Sequence, residues 1–399
     1  FVEQNLLNTD LTLNLSQNIP WTGGSLFLET SAQRMDLFSE HKYSWQTSPI
    51  MIGYRQSLFG YNSLKWDKRI EPVRYQEAKK SYVETLELVS ANAINKFFAL
   101  ATAQSNYDIA SFNYANADTL YRYAQGRYNI GTITENEMLQ LELNRLTEET
   151  NRMNARIEMD NCMQELRSYL GIQEEREIRV RVSSRIPDFS INLNEALALA
   201  YENSPDIQTM KRRKLESESA VARARANAGL KADIYLRFGL TQTADKLPEA
   251  YRNLLDQQYV SLSISLPILD WGRGKGQVRV ARSNRDLVYT QVEQNRTDFE
   301  LNVRKLVKQF NLQTQRVRIA ARTDETAQRR NEVARKLYIL GKSTILDLNA
   351  SISEKDSARR NYVSALYNYW SLYYTLRSMT LYDFESNKLL TEDYNLLIE

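Results

Sequence analysis

The sequence predicts a mixed α and β fold, duplicated internally, in which short strands contribute to a shared β-barrel and long helices form coiled-coil hairpins. Three observations lead there: landmarks that recur 210 residues apart, strictly alternating short runs, and helical stretches with almost no Gly or Pro. Repeats are sought first, because a missed repeat misreads the fold.

The repeat rests on aligned landmarks. Tyr128-Asn-Ile-Gly131-Thr-Ile-Thr134 resembles Tyr338-Ile-Leu-Gly341-Lys-Ser-Thr344, and the same offset pairs Leu166-Arg167-Ser168 with Leu376-Arg377-Ser378. It also sets Leu58-Phe59 opposite Ile268-Leu269. A first repeat over 1–190 is expected, with strands at about 11–33 and 50–58 and long helices at about 66–125 and 133–170. A second over 191–384 opens with a helix at about 193–227. Its strands fall at about 233–241 and 259–267, and its long helices at about 275–336 and 344–382. A polar tail, 385–399, follows. The first repeat lacks a visible opening helix, so an equivalent is expected before Phe1, which is not an initiator residue; no signal peptide is visible, and either processing or truncation is expected to have removed the true beginning.

The strands come next. Val260, Leu262, Ile264 and Leu266 alternate with Ser261, Ser263 and Ser265; Ile234, Leu236, Phe238 and Leu240 alternate with Tyr235, Arg237 and Thr241. Residues 25–33 and 50–58 are weaker versions, and Leu11, Leu13 and Leu15 alternate with Thr12, Asn14 and Ser16. Period two with one apolar face is the pattern of a half-covered strand, which fits a soluble sandwich or a membrane wall. Four or five strands of ~9–11 residues suffice to cross an outer membrane but not to close a barrel. Open edges do not persist in lipid, since each unpaired backbone group costs several kcal/mol, so neighbouring chains must supply strands. About four strands from each of three chains would make a shared barrel of roughly twelve strands. The segment 11–17 is a candidate additional strand.

The helices are built for a tube. Residues 66–124 contain Pro72 near the start and no Gly, enough for a rod of about 80–90 Å. Tyr107, Tyr114, Tyr121 and Tyr128 recur every seven residues, as do Ala103, Ala110, Ala117 and Ala124. Together they form the knobs-into-holes seam of a coiled coil. Leu86, Ala93 and Leu100 extend it. Ala320, Ala327 and Ala334 lie 210 residues after three of those alanines, beside Val317, Asp324, Asn331 and Tyr338, where polar positions predict a wetter contact. Two hairpins from each of three chains would close a hollow cylinder continuous with the barrel.

Composition narrows the function. Mean hydropathy is −0.54, and no run approaches the ~20 apolar residues of a membrane helix. Mixed charge with a net of only +3 is no footprint of a nucleic-acid binder. The single cysteine, Cys162, excludes an internal disulfide and reads as a packing residue; the single histidine, His41, reads as a surface residue. No polar residues converge as a catalytic centre would require, so no enzyme activity, metal or cofactor is expected. Asp270-Trp-Gly272-Arg-Gly274-Lys-Gly276 has neither phosphate-loop spacing and reads as a rim turn. The basic run Lys211-Arg-Arg-Lys214, interleaved downstream with Glu216 and Glu218, reads as a solvated helix face. A soluble coiled-coil scaffold is the alternative to a membrane duct.

A family resemblance now has residues to rest on. Asn194-Glu-Ala-Leu-Ala-Leu-Ala-Tyr-Glu-Asn203-Ser-Pro205-Asp-Ile207 resembles the opening helix of TolC-type outer-membrane efflux proteins. Leu266-Pro-Ile-Leu-Asp270-Trp-Gly272-Arg-Gly274 resembles their strand-to-helix signature, and the turns from Gly131 to Glu137 and from Gly341 to Asp347 resemble their hairpin tips. The resemblance implies a homotrimer with its β-barrel in the outer membrane and its α-barrel in the periplasm. It also implies a periplasmic adaptor (membrane fusion) protein and, indirectly, an inner-membrane transporter as partners, in efflux or type I secretion. Matched by position, Tyr338 falls on the family's gating tyrosine, and Glu137 and Asp347 on acidic positions six residues after the tip glycines. Ser343 stands where an arginine would complete the gate, leaving Lys342 as its substitute. An equal alternative for both acids is a plain helix-start role favoured by the dipole. The adaptor-facing tips would be Arg127, Tyr128, Gly131, Thr134, Gly341 and Thr344.

Overall fold

The computed structural model describes residues 5–38, 40–174, 176–340 and 342–390. The chain divides into two compact units, Phe1–Glu77 with Gln208–Arg296, and Ala78–Ile207 with Thr297–Glu399.

The first unit holds a five-stranded antiparallel sheet in the order β1 (Leu6–Ile19), β2 (Gly24–Leu37), β3 (Lys42–Ser57), β4 (Lys231–Ala244) and β5 (Leu255–Ser265). Of the four or five strands expected, the sheet has five: the candidate additional strand 11–17 lies within β1 and 25–33 within β2. The chain reverses between them at residues 20–23, where Gly23 takes φ +76° and donates its amide to the Ile19 carbonyl. Only a residue without a Cβ holds that conformation cheaply. Strand β3 begins well before residue 50 and carries one extra residue against both neighbours, between Thr47 and Ile50. Pro49 lies in that bulge; lacking an N–H, it cannot serve a regular ladder.

Register assigns the faces. Leu15, Leu28, Ile52 and Phe238 are direct partners in one row across β1 to β4, and Leu236 stands opposite Val260 on the same face. Leu11, Leu13, Leu262 and Ile264 extend this aliphatic face, and all four are exposed. The other face is polar and glycine-bearing, with Ser16, Phe27, Gly53, Arg237 and Tyr259 in one row. There Glu29 pairs with Arg237 at 3.5 Å, and the Phe27 ring lies over Gly53 while stacking on Tyr235, centroids 5.7 Å apart.

Helices α1 (Ser63–Asn129) and α5 (Arg273–Ile339) each have 67 residues, and both begin and end 210 residues apart. Their hairpin partners, α2 (Glu135–Tyr169) and α6 (Ile345–Thr380), begin 210 apart. The single helix expected at 193–227 is two, α3 (Leu193–Asn203) and α4 (Pro205–Ala228). Pro205 excludes helical geometry from the residue before it, and Ser204 takes ψ 135°. Helix α6 stops at Thr380, ahead of 382, because Leu381 turns left-handed with φ 47°. A short hairpin, β6 (Tyr382–Asp383) with β7 (Lys388–Leu389), occupies the start of the expected tail. The offset fails at β1: residues 216–229 lie 210 later, and all but the last belong to α4.

In the second unit the long extended connection after α2 is pinned by side chains that imitate a strand partner. Gln104 donates to the Ile178 carbonyl (3.1 Å) and accepts from the Val180 amide (3.2 Å). Asn311 does the same at both backbone groups of Ile191 (2.8 and 2.9 Å). Phe310, Tyr369 and Leu376 are fully buried beside Phe189 and Tyr373. Between α1, α6 and the terminal hairpin, Arg377 reaches Glu87 at 2.9 Å and Asp383 at 3.6 Å.

A Cβ on Gly53 would stand 2.0 Å from the Phe27 ring. Gly53→Ala should therefore destabilise the sheet, by about 1–3 kcal/mol as overpacking does, and Gly53→Ala with Phe27→Ala should recover part of the loss. Heat-modifiable migration of the detergent-solubilised protein reads both.

Candidate functional site

The two hairpin turns are built alike. Gly131, at φ +72°, donates to the Tyr128 carbonyl (2.8 Å), and the Thr132 amide reaches back to Arg127 (2.9 Å). In the second turn the Lys342 amide reaches Leu337 at 2.9 Å. Gly341 lies outside the described residues. Thr134 and Thr344 then start α2 and α6 with reciprocal caps. The Glu137 carboxylate accepts from the Thr134 amide (2.9 Å), and the Glu137 amide donates to the Thr134 hydroxyl oxygen (3.2 Å). Asp347 accepts from the Thr344 hydroxyl (2.7 Å), the Thr344 amide (3.3 Å) and the Ser343 hydroxyl (3.3 Å). The Thr344 hydroxyl, and then its amide, hold the Asp347 carboxyl below the usual carboxylate range. Both acids thus satisfy orphan amides at a helix start.

Tyr338 stands elsewhere. It lines a cavity of about 640 Å³ with Arg127, Tyr123, Arg335, Ser343 and Leu348. Of the candidate gate and tip residues, this brings together Tyr338 and Arg127. Glu137, Asp347 and Lys342 do not line it.

The first seam is tightly packed. Ala103, Ala110, Ala117 and Ala124 are buried. Each tyrosine between them, Tyr107, Tyr114 and Tyr121, meets an arginine of α2 over its ring: Arg156 at 5.6 Å, Arg152 at 4.1 Å and Arg145 at 5.5 Å. Tyr128, the last of the series, is exposed. The sequence reading missed these arginines, although Arg145 and Arg152 keep the seven-residue spacing that would have found them. The second seam needs correction. Ala320, Ala327 and Ala334 are only half-buried, and the buried line runs through Phe310, Val317, Asp324 and Asn331. Its polar members are enclosed and bonded, where a wetter contact was expected. Asp324 accepts from Arg359 (3.1 Å) and Gln328 (3.0 Å), and Asn331 donates to Ser351 (3.0 Å). That line is the one Leu100, Tyr107, Tyr114 and Tyr121 hold in the first hairpin, 210 residues earlier, so here the tyrosine line and not the alanine line is the more enclosed.

The basic run on α4 is also more engaged than a solvated face. Arg212 meets Glu77 at 2.6 Å and Glu216 at 3.0 Å, and Lys214 meets Glu293 at 2.8 Å. Hydrogen bonding to Glu77 raises the Arg212 guanidinium and, in return, Arg212 lowers Glu77. Asp270 forms the turn into α5, accepting from the amides of Gly272 (2.9 Å) and Gly274 (2.8 Å). Those amides, Gly274 first, pull its carboxyl below the ordinary range. Cys162 is half-buried, and burial followed by Glu158 pushes its thiol up. His41 sits exposed in the turn between β2 and β3. Among the described residues no helix is long and apolar enough to cross a membrane, and no cluster of His, Cys, Asp and Glu could hold a metal ion.

Comparison with known proteins bears on this arrangement of sheet, hairpins and caps. A family model described as outer membrane efflux protein matches residues 196–380. The match spans a little under half of the chain. The TolC-type resemblance drawn from the motifs therefore stands, since most of the signature positions fall inside the match. No curated protein sequence matches. Among solved structures, the chain is similar to the Campylobacter jejuni CmeC outer membrane channel, with a TM-score of 0.69 at 15% identity over 99% of this chain and 80% of that one. It is similar to the open state of the Neisseria gonorrhoeae MtrE outer membrane channel, at 0.66 and 12% over 98% and 82%. It also resembles VceC, an outer membrane protein of Vibrio cholerae, at 0.64 and 14% over 94% and 87%. The efflux-protein fold thus extends along nearly the whole chain, including the residues before 196.

Two measurements test the seam and the caps. Arg152→Ala should lower thermal stability by about 0.5–1 kcal/mol, the range of an exposed cation–π contact, while Tyr114→Phe, which keeps the ring, should change it less. Because the folded Asp347 carboxyl titrates below its unfolded value, its support for α6 is complete above about pH 4 and is lost as pH falls through the folded value. Hydrogen exchange at 345–348, corrected for intrinsic rate, should rise on acidification in the parent and be pH-insensitive beyond that correction in Asp347→Ala.

Proposed function

We propose that the protein is the outer-membrane exit duct of an efflux or type I secretion system. Three copies pool their sheets into a barrel, and their helical hairpins reach into the periplasm. A periplasmic adaptor docks at the turns 127–134 and 337–344, and an inner-membrane transporter acts through that adaptor. The observation that carries this reading is the sheet. Its aliphatic face runs through Leu15, Leu28, Ile52 and Phe238 across β1 to β4 and through Leu236 and Val260 onto β5, while the opposite face is largely polar. That pattern is the wall of a transmembrane barrel. Two free edges, one on β1 and one on β5, call for neighbours. A soluble coiled-coil scaffold has no use for such a face. The matched family and the outer membrane channels sharing the fold support the assignment.

The chain is the product of an internal duplication from β2 onward. Helices α1 and α5 of equal length, the Thr132 and Lys342 amides that each reach back five residues, and caps at Thr134 and Thr344 repeat at one offset, which independent origins would not produce. The gate lies at the second turn. Tyr338 and Arg127 share a groove there, and Lys342, Glu137 and Asp347 are its further candidates at the tips.

The purified protein should behave as a trimer in detergent and conduct ions in planar bilayers. A stable monomer that stays soluble without detergent would end the proposal. A closing contact worth about 1 kcal/mol biases a gate about five-fold, so Tyr338→Phe or Asp347→Ala should raise open-state occupancy by that order. Unchanged conductance in both would remove these two residues from the gate.

A further inference from the structure

The fifth strand stands outside the duplicated plan, and its chemistry says what it faces. Strand β1 pairs with β2 over fourteen consecutive positions without irregularity. Its counterpart 210 residues later is helical over all but its last residue, so β1 has no equivalent in the second repeat. Leu11, Leu13 and Leu15 are 77%, 72% and 72% exposed. They lie on the same face as Leu28, Ile52, Phe238 and Leu262. Thr12, Asn14 and Ser16 continue the polar face opposite Ser31, Glu29 and Phe27.

We propose that β1 is a wall strand of the pore, with Leu11, Leu13 and Leu15 against the acyl chains of the bilayer. This rests on the duct reading and changes its strand count: each protomer contributes more than the two strands per repeat that a twelve-strand barrel of three copies allows. The competing arrangement can be drawn. If β1 left the sheet, β2 and a neighbour's β5 would meet antiparallel, because strands alternate in direction across the meander. That exchange would break fourteen paired positions and leave three aligned leucines uncovered in water. Burying them in lipid is favourable, and leaving backbone groups unpaired in lipid is costly. Keeping β1 in place gains on both counts.

Single cysteines placed in a Cys162→Ala background test this in vesicles of phosphatidylcholine and phosphatidylglycerol. Leu13→Cys and Asn14→Cys on β1, with Leu262→Cys and Ser263→Cys on β5, are labelled with an environment-sensitive fluorophore. Quenching by acyl-chain nitroxides should be equal at 13 and 262, and several-fold weaker at 14 and 263. If position 13 is quenched no more than 14 while 262 remains lipid-quenched, β1 is not in the wall. If 13 and 262 are both shielded from lipid, the barrel reading itself fails. A second variant guards against misfolding. Thr12→Cys with Ser31→Cys, direct partners on the polar face, should close an intrachain disulfide in protein that still conducts. Conducting protein in which that disulfide does not form would overturn the proposal.

Discussion

Everything in the first unit follows from one constraint: a sheet with a largely aliphatic, exposed face and two outer edges needs that face covered and those edges paired. On the proposed duct reading, lipid covers the face and neighbouring copies supply the strands. The aliphatic rows are in register from β1 to β4, so no twist of the sheet brings them against each other as a sandwich would. The polar face carries Glu29 with Arg237 and an aromatic group packed over Gly53, chemistry that suits a wet interior. Glycine at 53 and at 239, where Met51 presses close, lets large side chains lie flat on the wall.

The helices obey a parallel logic. Sixty-seven residues in one helix present more surface than a single partner covers. In the first hairpin small residues alternate with tyrosines, so the backbone of α2 approaches closely while its arginines find aromatic faces instead of water. A guanidinium over a ring keeps most of its hydration and still gains contact, which suits a seam at the edge of solvent. The second hairpin solves the same problem with Phe310 and Val317, then buries Asp324 and Asn331 in paired positions. Asp324 is enclosed while Arg359 stays half-exposed, so the pair ties α5 to α6 while its desolvation cost falls mainly on the carboxylate. Equal lengths with unequal seams mean the two hairpins are not interchangeable.

Most of the plan could be read from the sequence, and the misses share a cause. Period two exposed β4 and β5 because serine and aliphatic residues alternate there without interruption. Scarcity of Gly and Pro exposed the long helices, and the tyrosine–alanine spacing exposed the first seam. What the sequence hid were events decided by one residue or by a partner. Pro49 breaks the period of β3, so its first half does not look like a strand. Pro205 divides a helix that periodicity alone runs through. Strand β1 is short of aromatic and β-branched residues, and its length comes from pairing with β2. The arginines over Tyr107, Tyr114 and Tyr121 belong to another helix, and the replacement of those tyrosines by Val317, Asp324 and Asn331 in the second seam depends on what α6 brings.

The hairpin tips show why positional resemblance and physical role must be weighed together. Glu137 and Asp347 stand where an acidic gate residue would be expected, yet each already accepts the amide of its own cap, and Asp347 also accepts two hydroxyls. A carboxylate held by such bonds is oriented, and its lone pairs are largely committed to starting a helix. Any ion pair it made with a neighbour would compete with the cap and weaken the turn that carries it. Tyr338 and Arg127 line one groove at the ends of α5 and α1 and take no part in those caps. If the proposed gate is at these turns, the groove side chains can move without cost to a helix start, whereas a gating role for Asp347 must draw on the same bonds that cap α6.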